Sequence, residues 1–265
     1  MNKMEHKMVD LLQDLRTNYC VSGIKAEFEA EGTRIEEAMR LKDVISKAGL
    51  GLNIKIGGCE AIKDMLDGIS LGAERIIAPM VETPYALKKF LLAAQMVYGD
   101  AINEVDLLVN IETFTGVANF SEMLALPEIG MLKGVVIGRV DMVGSLAMNR
   151  TDVNSQRILD ISLDIAQKAS AKGLDVIIGG GVSVESLSFF NQFPTGQLTR
   201  FETRKVIFQC PEALKNPEEA FIKAVEFELL WLKNKRDYYS AISKEDNDRI
   251  DMMETRYAAA LNKVR

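Results

Sequence analysis

Several short stretches of the chain carry ionisable residues among apolar neighbours, and their spacing limits the chemistry they can do. In Lys25-Ala26-Glu27-Phe28-Glu29 the charges recur at every second residue, so in an extended chain Lys25, Glu27 and Glu29 share one face. Three charges on one face of an apolar run are costly unless that face lines a polar cavity or an ion-pair network. Lys55 is the single charge in LNIKIGG, and Glu82 closes the run Ile76-Ile77-Ala78-Pro79-Met80-Val81. Asn110 and Glu112 share a face of VNIE, and Arg139 and Asp141 share a face of GRVD. At the ends of adjacent parallel strands, Glu112 and Asp141 would stand close enough to share a hard cation. Mg²⁺ takes one or two protein carboxylates, keeps several waters and leaves positions for an anionic substrate. Without a cation, two such carboxylates would repel and one pKa would rise. For each charge taken singly, a buried salt bridge or a solvated strand end competes evenly with a functional role.

Gly179-Gly180-Gly181 followed by Ser183 is a second candidate, because backbone N–H groups in such a turn can face an anion. A tight turn that needs glycine for close backbone packing explains the same residues, and explains them somewhat better. His6 is the only histidine and sits in an N-terminal helical pattern, where a surface position is expected. Histidine-rich zinc sites, a Ser-His-Asp triad and a Cys-His dyad are therefore disfavoured. Acid–base work falls to carboxylates, lysine, tyrosine or metal-bound water. Cys20, Cys59 and Cys210 are far apart and lack CxxC spacing, as expected of reduced thiols in a cytoplasmic protein.

The elements that must position these residues follow from the apolar pattern. Strand-like runs recur from Val21, Leu52, Arg75, Val105, Gly134, Leu174 and Thr203, several of them continuously apolar, as parallel strands covered on both faces should be. Helical stripes lie between them. Thr33 and Glu36 form a capping-box pattern, Thr83-Pro84 opens another helix, and Gly173 is placed to end one that begins near Asp152. Alternation at this spacing implies right-handed βαβ units. A polar residue at nearly every strand end favours a TIM-type (β/α)₈ barrel over an open sheet, since all barrel strand ends face one site. No GxGxxG follows the first strand. Glu202, Arg204 and Lys205 enter the last strand and are placed at its stability face. The reading is one barrel domain over residues 1–265, with an N-terminal helix in 1–20, β/α repeats in 21–210 and C-terminal helices in 211–265. One of those starts at Asn216-Pro217 and another between Ser243 and Asp246.

With 265 residues, 48% hydrophobic and 26% charged, the chain has ordinary globular composition. A net charge of −6 with dispersed lysines and arginines gives no reason to expect nucleic acid. No apolar run approaches the roughly 20 residues that span a membrane, and the N-terminus lacks a signal-peptide core. The partner expected is a small-molecule carboxylate substrate, and the protein is expected to be a homo-oligomer.

IIAPMVET, VNIET and VVIGRVD, in this order and spacing, resemble the HpcH/HpaI aldolase and citrate lyase β-subunit family, within the phosphoenolpyruvate/pyruvate-binding barrel superfamily. The resemblance runs from about Val21 to Ser183 and is strongest from Arg75 to Leu146. It implies a (β/α)₈ barrel that makes or breaks carbon–carbon bonds beside a 2-oxoacid or acyl-CoA, usually with Mg²⁺ or Mn²⁺. It implies that Glu112 and Asp141 bind the metal. Lys55 stands where the family has an enolate-stabilising arginine, keeping the charge without the bidentate fork. Ala30 stands where aldolase members carry a basic histidine, although citrate-lyase-type members manage without one. The family's first strand is missing, so closure by the N-terminal helix, or an incomplete barrel, is expected. Arg139 replaces a small or apolar residue and either binds a substrate carboxylate or phosphate or pairs with Glu112, Glu82 or Glu29.

The leading expectation is a Mg²⁺- or Mn²⁺-dependent carbon–carbon lyase. Lys55, Arg139, Glu27 and Glu29 would act in catalysis, Glu82, Asn110, Gly180 and Gly181 in substrate binding, and Glu112 and Asp141 in metal binding. A Schiff-base enzyme using Lys25 or Lys55 is a lesser alternative, because a lysine among carboxylates is a poor nucleophile. From another class, a non-catalytic binding or regulatory barrel is motivated by the missing histidine and arginine.

Overall fold

The computed structural model describes the backbone of residues 1–264 and the side-chain surroundings of residues 1–258. Helix α1 (Lys3–Tyr19) leads into β1 (Val21–Glu27). The repeat continues with α2 (Ile35–Lys47), β2 (Gly51–Lys55), α3 (Ile62–Leu71), β3 (Arg75–Ala78), α4 (Pro84–Tyr98) and β4 (Asp106–Ile111). It goes on with α5 (Phe114–Met123), β5 (Leu132–Gly138), α6 (Arg139–Ser145), α7 (Gln156–Ser170), β6 (Asp175–Gly179) and the one-turn α8 (Leu187–Phe190). Strands β7 (Arg200–Glu202) and β8 (Val206–Gln209) and the helix α9 (Pro217–Val264) complete the chain.

The strands form a closed barrel in chain order. Strands β1 to β7 are parallel neighbours, and β8 runs antiparallel to both β7 and β1. The last strand, expected from Thr203, is β8, and the short β7 before it makes a hairpin that turns at Thr203–Lys205. That hairpin supplies the closure expected of the N-terminal helix, and α1 packs outside instead. Its Asp14 pairs with Lys223 of α9, Lys7 pairs with Glu226 at 2.6 Å, and the Asn2 amide donates to Asn234 at 2.7 Å.

The barrel interior is layered, because inward side chains come from alternate residues. Ile77, Leu108, Val136 and Ile177 form a small apolar plug, separate from the large core between strands and helices. Below the plug, Arg75 pairs with Asp106 at 3.1 Å and Arg200 with Asp175 at 2.6 Å. Above it, at the C-terminal strand ends, lie Lys25, Glu27, Lys55, Asn110 and Glu202, all buried. Each charged layer is internally matched, which is what makes burial of ions tolerable.

Local chemistry sets the element ends. Thr83 caps α4 by accepting from the Ala86 N–H at 3.1 Å, with Pro84 as first helical residue. The Thr33–Glu36 capping box does not form. Helix α2 begins at Ile35 behind Arg34, and the Thr33 N–H is spent on the Glu27 carbonyl at 3.2 Å. Strand β3 ends at Ala78 because Pro79 has no N–H to donate. Strand β5 stops at Gly138, so Arg139 and Asp141 belong to the first turn of α6, not to one strand face. The two expected C-terminal helices are one, α9, since no glycine or proline interrupts the chain between Pro217 and Val264. No helix among the described residues is long and apolar enough to cross a membrane.

Candidate active site

The barrel opens at its C-terminal strand ends into a cavity of about 750 Å³. Eight of the ten residues singled out from sequence line it: Lys55, Glu27, Glu29, Asn110, Gly180, Gly181, Glu112 and Asp141. Arg139 and Glu82 do not.

Glu112 is the most deeply set carboxylate, with only 2% of its surface exposed. It lies one residue past β4, where Oε1 accepts from the Met80 backbone N–H at 3.0 Å and Oε2 from the Asn110 amide at 2.7 Å. Met80, the residue after Pro79, takes a left-handed φ of 50°. Space for the carboxylate comes from Gly138, where a Cβ would lie 2.5 Å from Glu112 Oε2. Burial raises the Glu112 pKa and Asp141 adds to the rise, against the opposing pull of Lys55, Asn110 and the Met80 N–H. Asp141, exposed to the cavity from the first turn of α6, completes the pair of carboxylates.

The lysines are each held between two carboxylates. Lys55 Nζ is 2.9 Å from Glu29 and 3.6 Å from Glu112. Lys25 Nζ is 3.0 Å from Glu27 and 2.5 Å from Glu202. Burial alone would pull both ammonium groups down, but the paired carboxylates outweigh it and raise both pKa values. Neither lysine is therefore a neutral nucleophile, and the Schiff-base alternative loses its chemical basis.

Glu202 was missed as a site residue because it was placed at the start of a strand on the stability face. It ends the three-residue β7 instead, at the open end beside Lys25. The hairpin turn is fixed next to it: Lys205 and Arg204 bind Glu31 at 2.6 Å and 2.9 Å, and Glu228 of α9 accepts from Thr203 Oγ1 at 2.7 Å. The hint in the sequence was the brevity of the apolar run after Glu202, too short for one long strand.

Arg139 corrects the expectation of a substrate-binding or ion-paired guanidinium. It is fully buried behind the cavity wall, donating to the carbonyls of Gly179 (3.3 Å) and Val153 (3.4 Å), to Asn154 Oδ1 (2.5 Å) and to Ser186 Oγ (3.2 Å). Its Cζ lies 4.8 Å from the Phe189 ring centre and 5.6 Å from that of Phe190. Burial lowers its pKa to about 10. The helical turn after Gly138 points Arg139 outward while Asp141 faces in. Glu82 is displaced for a related reason. With β3 ended at Ala78, it lies outside the cavity, where Thr113 Oγ1 donates to its carboxylate at 2.7 Å. Gly180 is required sterically, because a Cβ there would lie 2.7 Å from the Val140 nitrogen, and it sits at φ 76°. The packing explanation therefore applies to Gly180, although both it and Gly181 also face the cavity.

The donors lining the cavity are of the type that Mg²⁺ takes. Glu112 and Asp141 offer hard oxygen donors to one cavity, and Asn110 Oδ1 is a buried oxygen with no donor among the described residues. Seven carboxylates against four lysines and arginines line the cavity, a surplus that a divalent ion would offset. No cluster of three or more His, Cys, Asp or Glu that could hold a metal occurs among the described residues. Two carboxylates with water and substrate completing the sphere are what Mg²⁺ commonly takes. The residues fit the ion.

A family model described as HpcH/HpaI aldolase/citrate lyase matches residues 33–185. No curated protein matches the chain in sequence. An HpcH/HpaI aldolase from Desulfitobacterium hafniense DCB-2 is similar in structure, with TM-score 0.59 and 13% identity, covering 76% of this chain and 83% of that one. Citrate synthase SbnG superposes with TM-score 0.59 at 14% identity, covering 87% and 90%. Malate synthase from Haloferax volcanii, in a magnesium/glyoxylate complex, gives TM-score 0.50 at 17% identity, over 63% of this chain and 57% of that one. At these identities the likeness is one of fold.

Proposed function

Because the chain belongs to the HpcH/HpaI aldolase/citrate lyase family, we propose that it is a divalent-metal-dependent carbon–carbon lyase acting beside the carbonyl of a small 2-oxoacid. Glu112 and Asp141 would hold Mg²⁺ or Mn²⁺. When bound, the ion supplies Lewis acidity to the substrate carbonyl and offsets the carboxylate surplus of the cavity. Lys55 stabilises negative charge as it develops on the carbonyl oxygen, and its two carboxylate neighbours keep it protonated for that task. Glu29, at the cavity rim with one oxygen on Lys55, takes the role of proton acceptor that histidine cannot fill here. Glu27 and Glu202 hold Lys25 and shape the floor. Asn110 orients Glu112 and leaves Oδ1 toward a donor on the ligand.

The observation that supports this reading is that Glu112, Asp141 and Lys55 line one cavity, with Lys55 Nζ 3.6 Å from Glu112. It is tested by following exchange of the pyruvate methyl protons in D₂O by NMR, with and without Mg²⁺. Exchange that needs both protein and metal is expected. Absence of exchange across a set of small 2-oxoacids contradicts the proposal. One observation favours a binding-only barrel, namely that both floor lysines are already matched by carboxylates. That reading gives metal-dependent thermal stabilisation without exchange.

A further inference from the structure

We propose that Arg139 is a positioning residue that holds Asp141 toward the cavity, acting through the first turn of α6; this rests on the metal-site reading of Asp141. The starting point is a fully buried guanidinium with no carboxylate paired to it among the described residues, an arrangement whose cost must be offset by geometry. Its hydrogen bonds reach three separate segments. Nε binds the Gly179 carbonyl at the end of β6, Nη1 binds Val153 and Asn154 in the turn before α7, and Nη2 binds Ser186 before α8. The rings of Phe189 and Phe190 cover the guanidinium.

These anchors fix one end of α6. Gly138, at the N-cap position, has no side chain, and no side-chain cap closes the helix start. The helix is only seven residues long, too short to keep its own register without tertiary support. Asp141 follows Arg139 by two residues, so in the helical turn the two side chains diverge, one locked outside and one facing in. The backbone at Gly180 packs against the Arg139 and Val140 nitrogens so closely that a Cβ there would lie 2.8 Å and 2.7 Å from them. Arg139 thus braces the corner from which both Asp141 and the glycine turn face the cavity. A lysine would keep the charge but bind at one point, without the planar fork that reaches three segments.

The test is Mn²⁺ affinity, read by electron paramagnetic resonance, in the wild type, Arg139→Met, Asp141→Asn and the double variant, with thermal melting of each. Arg139→Met is expected to weaken Mn²⁺ at least tenfold, and the double variant to bind no more than twofold worse than Asp141→Asn alone. The melting losses, in contrast, should add, because the bracing of the loops does not depend on the Asp141 carboxylate. Arg139→Met binding within twofold of wild type overturns the proposal, as do affinity losses that multiply in the double variant. Should Arg139→Met not fold, Asn154→Ala and Ser186→Ala each remove one anchor and are expected to weaken Mn²⁺ by a few-fold; unchanged affinity in both overturns it. A wild type that binds no Mn²⁺ overturns the metal-site reading itself, and is distinguishable from all of these.

Discussion

Lys55 Nζ lies 3.6 Å from Glu112 Oε2 and 2.9 Å from Glu29, so one ammonium group joins the deepest carboxylate of the cavity to one at its rim. In the proposed reaction, that ammonium is the group that would meet charge developing on a carbonyl oxygen. Lys55→Met is expected to lower kcat by roughly 10²-fold or more, the usual effect of removing one electrostatic stabiliser. Lys55→Arg, which keeps the charge, should lose much less. Steady-state kinetics of 2-oxoacid aldol cleavage or of methyl-proton exchange makes the comparison, and equal losses in the two variants would assign Lys55 a purely structural role.

Lys25 gives a stability prediction with a defined pH window. Its folded pKa is raised above that of an unfolded lysine, with Glu202 and Glu27 outweighing burial. The sign follows from linkage: the stabilisation is fully present below the unfolded value of about 10.4 and is lost as pH rises through the folded pKa. Urea melts of the wild type should therefore fall more steeply above about pH 10 than those of Lys25→Met. At neutral pH, Lys25→Met should be destabilised by about 3–5 kcal/mol, because two buried carboxylates lose their cation.

Gly138 tests the packing of Glu112 separately from its charge. Its φ of −88° suits any residue, but a Cβ would lie 2.5 Å from Glu112 Oε2 and 2.7 Å from its Cβ. Gly138→Ala should cost about 1–3 kcal/mol by overpacking and displace the carboxylate. Mn²⁺ affinity should fall in the same variant, while Gly130→Ala, where no atom lies within 4 Å of an added Cβ, should leave it unchanged.

Much of this site was legible in the sequence because strands alternate faces. Lys25 with Glu27, Lys55, and Asn110 with Glu112 all sit where that periodicity puts them, and the β/α repeat is what brings their strand ends together. The misplacements have local causes. Pro79 and Gly138 ended strands β3 and β5 earlier than their apolar runs suggested, moving Glu82 out of the cavity and turning Arg139 away from it. The hairpin at Thr203–Lys205 hid Glu202, because its charged turn reads as the entry to a single last strand. The outward setting of Arg139 is not legible in the strand pattern, since its partners come from three segments that only the fold brings together.

The pairing of Glu112 with Asp141 as metal ligands is the centre of the account, and anomalous diffraction from crystals grown with Mn²⁺ and pyruvate tests it directly. The predicted result is one strong peak within metal–oxygen bonding distance of both carboxylates, with pyruvate oxygens on the same ion and Lys55 beside them. No peak there, or an ion bound without Glu112 and Asp141, would contradict it.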